Sequence, residues 1–273
     1  MNKINLPGKI IFLFIVLGFS AFLPVKAEAK INLSKLLSGA SKAVSAVTLS
    51  DNDIKTYVHE YVLYSDSVNN VAPSNSEYNT RLLKLTEGLK EVDGQRLNFK
   101  VYITKEINAF ACADGSVRVY SGLMDIMNDD EILGVIGHEI GHVAHKDTKN
   151  AMKQALLNSA LFDGIGSTGE LASSLTDSQL GTIGQAMLSS KYSRKQESNA
   201  DDYGYDFLKE SGKNPWAMVM AFSKLQQLES DQSNSNILSN MFSSHPQTKD
   251  RIANIIKKCK KDKISPPEGY NFQ

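Results

Sequence analysis

The pattern of apolar and polar positions divides the chain into a helical beginning, a short β-rich middle and a helical remainder. Apolar side chains at helical spacing predict three early helices, over residues 33–47, 54–62 and 77–92, the second of them capped by Asp51. Alternating apolar and polar side chains predict extended segments over residues 97–104, 108–111 and 117–120. Helical spacing resumes after Asn128. The predicted fold class is α+β and mainly α-helical, with a small antiparallel sheet packed against one of the helices.

The apolar run near the start of the chain, over residues 10–23, is not predicted to be part of the folded domain. Lys3 and Lys9 precede an apolar run over residues 10–23, which is followed by Pro24 and by the small-residue pattern Ala27-Glu28-Ala29. A basic start, a short apolar segment and a small-residue site are typical of a secretory signal peptide. Because the run is shorter than the ~20 residues that a membrane-spanning helix needs, we predict cleavage rather than a permanent anchor.

We predict three parts in the chain: a signal peptide over residues 1–29, one domain over 30–260 and a flexible tail over 261–273. Within the domain, the segment 163–184 is rich in Gly and Ser and is expected to form a flexible cover. No cysteine lies near the predicted cleavage point, so lipidation at that point is not expected. We therefore expect a periplasmic or secreted protein that is not a lipoprotein.

Composition narrows the possible functions. The 273 residues include 41% hydrophobic side chains, which is enough for a full core. The 30 basic and 30 acidic residues cancel, and no basic and aromatic stripe stands out, so we do not expect nucleic-acid binding. In an oxidising compartment Cys112 and Cys259 are predicted to form a disulfide; two unrelated buried thiols are the alternative.

The sequence His138-Glu139-Ile140-Gly141-His142 matches the H-E-x-x-H pattern within a predicted helix over residues 131–144. Four residues make about one helical turn, so His138 and His142 project from one face and can bind a single zinc ion. Glu139 then lies beside the open position of the metal, where a carboxylate can take a proton from an attacking water. The pattern predicts one Zn²⁺ ion and metal-assisted hydrolysis of peptide bonds.

A catalytic zinc site usually has three protein ligands, so a third must come from elsewhere in the chain. Glu197 is the best candidate, because it lies one helical turn before Asp201 at the start of another predicted helix. Glu197 would bind the zinc ion, while Asp201 would accept the outer N–H of a ligand histidine and fix its tautomer. The alternative for both is a solvated surface carboxylate.

The other three histidines are less informative. His59 is isolated, which favours a structural or surface residue. His145 follows His142 by three residues, and we predict that it supports the ligands from behind or lies at the helix end. His245 has three interpretations: it approaches the open metal position, stabilises the tetrahedral intermediate or caps the last helix.

The segment Asn108-Ala109-Phe110-Ala111 is a candidate for substrate binding. An exposed strand edge beside the zinc ion can pair with an extended peptide and present its carbonyl group to the metal. An ordinary edge strand without a partner is the alternative.

Several motifs occur in a fixed order along the chain. They are Asn108-Ala109-Phe110-Ala111, Val119-Tyr120-Ser121-Gly122-Leu123, Gly137-His138-Glu139-Ile140-Gly141-His142-Val143, Ser193-Arg194 with Glu197 and Ala200-Asp201, and His245-Pro246 with Arg251. Together they resemble the gluzincin family of HtpX-like zinc peptidases, in particular its LoiP-type and BepA-type envelope proteases. The ordered set is far more specific than H-E-x-x-H alone.

The resemblance implies a gluzincin-type domain with a small sheet against the active-site helix, and Glu197 as the third ligand with Asp201 behind it. It places His245 near the zinc ion, where it restrains access in a resting state, and Arg251 close enough to assist an oxyanion. Unfolded or misassembled envelope proteins are the implied substrates. Ala113-Asp114-Gly115 departs from the Pro-Gly-Gly of some relatives, so the turn beside the substrate edge differs.

The resulting hypothesis is a zinc endopeptidase in quality control of cell-envelope proteins. The alternative is a chaperone-like assembly factor whose zinc site is closed and self-inhibited by His245. Peripheral association with a membrane and the oligomeric state stay open.

Overall fold

Nine helices and five strands make up the part of the chain that the computed structural model describes. That part comprises residues 50–158, 175–230, 241, 244–245 and 248–270. The helices are α1 (Asp51–Val68), α2 (Glu77–Leu85), α3 (Ser121–Ile126), α4 (Asp129–Ala144), α5 (Asp147–Asn158), α6 (Asp177–Leu188), α7 (Arg194–Glu210), α8 (Trp216–Ser230) and α9 (Thr248–Lys261). The strands are β1 (Glu91–Val92), β2 (Gln95–Arg96), β3 (Asn98–Tyr102), β4 (Ala109–Ala111) and β5 (Ser116–Tyr120). The predicted α+β, mainly helical fold class is confirmed.

The two early helices that fall within the described residues differ from their predicted bounds. The N-cap of α1 is Ser50 rather than Asp51, because the Ser50 side chain accepts a hydrogen bond from the Asp53 amide. Helix α2 ends at Leu85, earlier than predicted. Beyond it the chain turns at Gly88 (φ +89°), and β1 and β2 then pair around Asp93-Gly94, whose positive φ angles suit a tight hairpin turn. The helix predicted over 33–47 and the signal peptide lie outside the described residues.

The three-stranded sheet has the order β3-β5-β4 and is mixed. Strand β4 runs antiparallel to β5, as predicted, but β3 runs parallel to β5, with Phe99 opposite Val117. From β3 at one edge of the sheet the chain crosses to β4 at the other edge and then returns to the middle as β5. Because β5 runs antiparallel to β4, it is parallel to β3. Period-two alternation predicts strands but does not determine their order or direction.

Helix α4 is the central element of the fold. It packs along α7, against the sheet and against α8, and its residues from Glu131 to Val143 are buried. Glycines allow the close approach to α7: a Cβ at Gly137 would lie 2.5 Å from the Phe207 ring, and one at Gly141 3.0 Å from Ala200. This approach brings the first turns of α7 next to the histidines of α4.

A buried ion pair joins α1 to the centre of the sheet. Asp66 accepts hydrogen bonds from the Arg118 guanidinium at 2.8 and 3.0 Å, from Lys100 Nζ at 2.8 Å and from the Tyr102 hydroxyl at 2.7 Å. The Arg118 side chain is 2% exposed and that of Asp66 is 13% exposed. We call these four residues the Asp66 cluster.

The predicted disulfide is wrong. Cys112 and Cys259 are both free and buried, and they belong to two separate hydrophobic clusters. Cys112 packs with the aromatic side chains between α1 and the sheet, whereas Cys259 packs on the face of α9 that meets α7 and α8. Sequence spacing carries no information on this separation.

The flexible cover predicted over 163–184 is wrong in its second half, where α6 is a regular helix with a Thr176–Gln179 capping box. Its first part, up to residue 174, lies outside the described residues. After α9 the chain contacts the core again, because the Trp216 indole donates to the Ile264 carbonyl and Tyr270 packs against the Trp216 ring. None of the described helices is both long enough and apolar enough to cross a membrane.

Candidate metal centre

The two histidines of the H-E-x-x-H segment lie on the buried face of α4. The helix begins with a complete capping box between Asn128 and Glu131, so its register is well determined. His138 and His142 are 3% and 0% exposed, and their Nε2 atoms are 3.2 Å apart. One helical turn has therefore placed two imidazole nitrogens at a common point, as the spacing predicts.

The carboxylate of Glu197 meets this point from the first turn of α7. Its Oε1 atom lies 3.4 Å from His142 Nε2, and its Oε2 atom lies 3.8 Å from His138 Nε2. The Glu197 side chain is 2% exposed, so the alternative of a solvated surface carboxylate is wrong for this residue. The same holds for Asp201, whose side chain is 7% exposed.

Each histidine is oriented from behind by a carboxylate. His138 Nδ1 lies 2.9 Å from Asp201 Oδ1, and His142 Nδ1 lies 3.0 Å from Asp147 Oδ2. An Nδ1–H that donates to a carboxylate leaves the lone pair on Nε2. The two Nε2 lone pairs then face each other at 3.2 Å, an arrangement that is repulsive unless a cation or a proton lies between them.

These separations fit a tetrahedral zinc ion. With zinc bonds of ~2.0–2.1 Å, the donor atoms of a tetrahedral site are ~3.4 Å apart. The measured distances are 3.2 Å between the two Nε2 atoms, and 3.4 and 3.8 Å from them to the Glu197 oxygens. Two imidazoles and one carboxylate are also ligands that zinc accepts.

His245 lies against the same point. Its Nδ1 atom is 2.9 Å from Glu197 Oε1 and 3.2 Å from His138 Nε2. One donor atom from each of His138, His142, Glu197 and His245 lies within 4.8 Å of the others, and all four residues are buried. Of the three interpretations of His245, the structure matches an approach to the metal position.

Arg251, on α9, is buried between two carboxylates. Its Nε and Nη2 atoms donate to Asp201 at 2.8 and 2.6 Å, and Nη1 lies 2.6 Å from Glu197 Oε2. The Phe222 ring lies against the guanidinium, 4.3 Å from its centre. Arg251 thus holds both acidic residues of α7 in place.

The electrostatics keep His138 neutral but favour a positive charge beside His142 and Glu197. Burial lowers the pKa of His138 to about 4, and the charge of Arg251 acts in the same direction. Burial also acts to lower the pKa of His142, but hydrogen bonds to Asp147 and Glu197 outweigh it and raise that pKa to about 9. Burial acts to raise the pKa of Glu197, yet the neighbouring histidines and Arg251 hold it far below its usual range. Glu197 is therefore ionised at neutral pH and attracts a cation.

Glu139 faces the opening of the centre. It is 3% exposed, and its Oε1 atom makes no hydrogen bond within the described residues; His245 Nε2 lies 3.5 Å from it. A buried carboxylate oxygen without a hydrogen-bond partner is costly unless a water or substrate occupies it. Glu139 is thus available for a proton transfer.

Strand β4 borders the same opening. A cavity of about 20 Å³ lies between Glu139, His245 and β4, with Met187, Leu188 and Tyr192 on its far side. The predicted substrate segment, Asn108 to Ala111, lines this cavity and forms the edge of the three-stranded sheet. Its residues are only 1–7% exposed, so this edge is buried and not exposed as predicted. The structure therefore brings all the predicted site residues to one place.

The sequence interpretation missed three residues of the site. Asp147 binds His142, and Gln196 Nε2 donates to Asp147 Oδ1 at 2.8 Å. The Tyr192 ring stacks on the His142 ring at 4.0 Å between centroids. Asp147 follows the second histidine by five residues, just beyond a helix end, which is a signal that could have identified it.

Two histidines have the simple roles that were expected. His145 is the C-cap of α4. Its Nδ1 lies 2.7 Å from the Gly141 carbonyl oxygen, so the side chain contacts a carbonyl group in the last turn of the helix. His59 is exposed on α1.

Comparison with known proteins identifies relatives over most of the chain. The model of peptidase family M48 matches residues 77–258. The metalloprotease LoiP of Escherichia coli K12 is 41% identical over 230 residues, which cover 84% of this chain and 89% of LoiP. The metalloprotease YcaL of the same strain is 42% identical over 226 residues, which cover 82% of this chain and 87% of YcaL.

A more distant relative is larger than the matched region. The β-barrel assembly-enhancing protease of Escherichia coli O157:H7 is 31% identical over 130 residues, which cover 44% of this chain and 26% of that protein. The similarity to it is therefore confined to a portion of both proteins.

Proposed function

The chain belongs to peptidase family M48 and is a zinc metalloprotease, and we propose that it is an endopeptidase in which His138, His142 and Glu197 hold the zinc ion. The observation that carries this proposal is the convergence of two imidazole nitrogens and one carboxylate at distances of 3.2, 3.4 and 3.8 Å. These donors come from α4 and α7, two helices that are far apart in the sequence and pack side by side in the fold.

The side chains around the centre have different proposed roles in peptide-bond hydrolysis. When held by these residues, a zinc ion would supply polarisation of a peptide carbonyl and a lowered pKa of water. Glu139 takes one proton from the attacking water and delivers it to the leaving amine as the peptide bond breaks. Asp201 orients His138 and supports its donor nitrogen.

His245 and Arg251 act on the transition state by different routes. His245 Nε2 lies 3.5 Å from Glu139, so a small movement of His245 would place an N–H donor beside the developing oxyanion. Arg251 is already bound to Asp201 and Glu197, so its contribution is to offset carboxylate charge around the reacting centre. In this proposal both His245 and Arg251 stabilise the transition state.

The substrate is proposed to bind along β4 as an added strand. Tyr120 N–H donates to the Asn108 carbonyl, and Cys112 N–H donates to the Ser116 carbonyl. In an antiparallel ladder the alternate residues, Ala109 and Ala111, then direct their backbone groups to the outer edge. The opposite edge of the sheet, at β3, is already bridged by Val71.

The cavity beside β4 must enlarge before a peptide enters. A volume of about 20 Å³ holds about one water molecule. Met187 and Tyr192, which form its far side, are the groups that would move. A series of peptides with single N-methylated amides tests the added strand, because each N-methyl group removes one backbone donor. Loss of cleavage at alternate positions supports β4 pairing, whereas uniform cleavage contradicts it.

The proposed substrates are unfolded or misassembled proteins of the cell envelope. Such chains present extended segments that can pair with the β4 edge once the cavity beside it has enlarged. The name of one relative, the β-barrel assembly-enhancing protease, connects that protein with β-barrel assembly. Digestion of unfolded casein should be rapid, while a tightly folded protein of similar size should resist; equal rates on both would contradict this substrate class.

We propose a periplasmic or secreted location after removal of residues 1–29. The support is the basic and apolar leader with its small-residue site. Cell fractionation and N-terminal sequencing test it, with Lys30 expected as the first residue of the mature protein. Recovery of the uncleaved chain in the cytoplasm would contradict the proposal.

The decisive experiment replaces the general base. Glu139→Gln keeps the shape of the side chain but cannot take a proton, so cleavage of casein should fall by ~10²–10⁴-fold while the zinc content stays at one ion per chain. Glu210→Gln, an exposed carboxylate at the end of α7, is the matched control and should cleave at the rate of the unaltered protein. Undiminished cleavage by Glu139→Gln would rule out the mechanism.

A chaperone-like assembly factor is the second candidate, favoured by the 2.9 Å contact of His245 with Glu197. In that case His245 is a fourth ligand and the zinc site is closed. His245→Ala separates the two functions: an inhibitory or transition-state role predicts a changed rate of cleavage. A closed structural site predicts no peptidase activity in either protein and unfolding when zinc is removed.

A further inference from the structure

We infer that Asp147 and Gln196 are a pair of positioning residues that orient His142 and tie it to the helix that carries Glu197. The inference rests on the proposed zinc centre. Neither residue reaches the reacting atoms, so their effect passes through the ligands.

Both oxygens of Asp147 are engaged. Oδ2 accepts a hydrogen bond from His142 Nδ1 at 3.0 Å, and Oδ1 accepts one from Gln196 Nε2 at 2.8 Å. The side chain is 7% exposed and lies at the first residue of α5, where the amide groups of the helix favour a negative charge. Asp147 therefore has one orientation, and that orientation sets the plane of the His142 ring.

Both ends of the Gln196 side chain are engaged as well. Oε1 accepts from the Ser193 amide at 2.9 Å and from the Ser193 hydroxyl at 2.8 Å, which completes the capping box of α7. The amide end is thereby directed to Asp147. Since Gln196 precedes Glu197, the contact links the start of α7 to the histidine that Glu197 meets.

The two ligand histidines are supported in different ways. Asp201 behind His138 is bound by the Arg251 guanidinium, whereas Asp147 behind His142 is bound by a neutral amide. Because Gln196 is neutral, the negative charge of Asp147 acts fully on His142. The Nε2 atom of His142 therefore donates its lone pair more strongly to a metal ion. A hydrogen-bonded carboxylate of this kind typically changes metal affinity by ~10–100-fold.

The test measures zinc affinity by chelator competition in the mature protein, with urea unfolding of the zinc-free protein alongside. Asp147→Ala should weaken zinc binding by ~10–100-fold, and Asp147→Asn by less, because an amide oxygen still accepts from His142. Gln196→Glu keeps the capping box but replaces the donor with a second carboxylate beside Asp147. Repulsion between the two carboxylates should displace Asp147 from His142 and weaken zinc binding by more than twofold, and it should slightly lower the urea concentration at which the zinc-free protein unfolds.

The matched control is Gln179→Glu. Gln179 occupies the same capping-box position in α6, where Oε1 accepts from the Thr176 amide at 2.8 Å. Zinc affinity should stay unchanged in this variant. If it falls as far as in Gln196→Glu, the effect comes from capping chemistry and the inference is overturned.

The outcomes also separate this inference from the proposed function. Zinc affinity within twofold of the unaltered protein in Asp147→Asn and Gln196→Glu, with cleavage still dependent on Glu139, would overturn only the positioning pair. Absence of zinc binding in the unaltered protein would overturn the proposed function itself. If Asp147→Ala does not fold, the Asp147→Asn and Gln196→Glu results decide.

Discussion

Two clusters of charged side chains are buried in this fold, and they are composed in opposite ways. In the Asp66 cluster one carboxylate receives hydrogen bonds from two cations, Arg118 and Lys100, and from a hydroxyl. In the metal centre four carboxylates surround three imidazoles, those of His138, His142 and His245. Arg251 is the only Lys or Arg found in contact with these carboxylates among the described residues.

The difference teaches how to distinguish a structural charge cluster from a binding site. The Asp66 cluster is complete, since each oxygen of Asp66 has donors and each donor has an acceptor. The metal centre has an excess of acceptors, with two Nε2 atoms at 3.2 Å and an unpaired Glu139 oxygen. A buried group of acceptors that lacks enough donors predicts a metal site, because only an added cation completes it. The burial of charged side chains alone does not.

The largest expected effect comes from breaking the metal centre. Glu197→Ala removes the proposed ligand on α7, so zinc should be lost and cleavage should fall by about a thousandfold or more, because the metal contributes several kcal/mol to the transition state. Zinc analysis and casein digestion measure both. Asp66→Ala should change neither zinc content nor the rate per folded molecule. Loss of zinc in both variants would contradict the separation of the two clusters.

The second largest effect is expected on the free energy of unfolding when the Asp66 cluster is broken. Asp66→Ala leaves Arg118 buried without its carboxylate, which should lower the free energy of unfolding by about 3 kcal/mol. Urea unfolding of the zinc-free protein measures this. Ser67→Ala, on the exposed face of α1, is the control and should change the stability by less than ~0.5 kcal/mol.

A pH series sharpens the same comparison. Burial acts to raise the pKa of Asp66, but hydrogen bonds from Arg118, Lys100 and Tyr102 outweigh it and hold the pKa below its ordinary value. Asp66 therefore stabilises the fold above the unfolded-state pKa of ~3.9, and this contribution is lost as the pH falls through the lower folded-state pKa.

The measurement is urea unfolding between pH 2 and 7 with a chelator present. Below about pH 4, stability should fall more steeply for the unaltered protein than for Asp66→Asn, which has no carboxylate to protonate. Parallel curves would show that Asp66 has the same pKa in the folded and unfolded chains.

The smallest effect is the loss of one hydroxyl. Tyr102→Phe keeps the ring contacts with Phe110 and Tyr120 but removes the hydrogen bond to Asp66, so it should lower the free energy of unfolding by about 1 kcal/mol. Thermal unfolding measures it, and zinc content should not change. A loss as large as that in Asp66→Ala would mean that the hydroxyl, rather than the charge pair, holds the cluster together.

Local patterns in the sequence were sufficient for the main features of the site. The i, i+4 spacing of His138 and His142 on a capped helix determines that both imidazoles share a face, and the ordered motifs identified the family that the comparisons confirm. Glu197 and Asp201 were predicted for the same reason, since one helical turn separates them. These are properties of single helices, and a helix has the same geometry in any fold.

Contacts between distant segments were decided only by the tertiary structure. The parallel pairing of β3 with β5, the separation of Cys112 from Cys259 and the contact of Gln196 with Asp147 each join residues whose distance in space is unrelated to their distance in the chain. The physical reason is that periodicity and capping are set by neighbours within a few residues, whereas strand order, core partners and ligand support depend on how whole elements pack. The chain alone thus predicted which side chains form the candidate metal centre, and the packing of α4 against α7 decided what surrounds them.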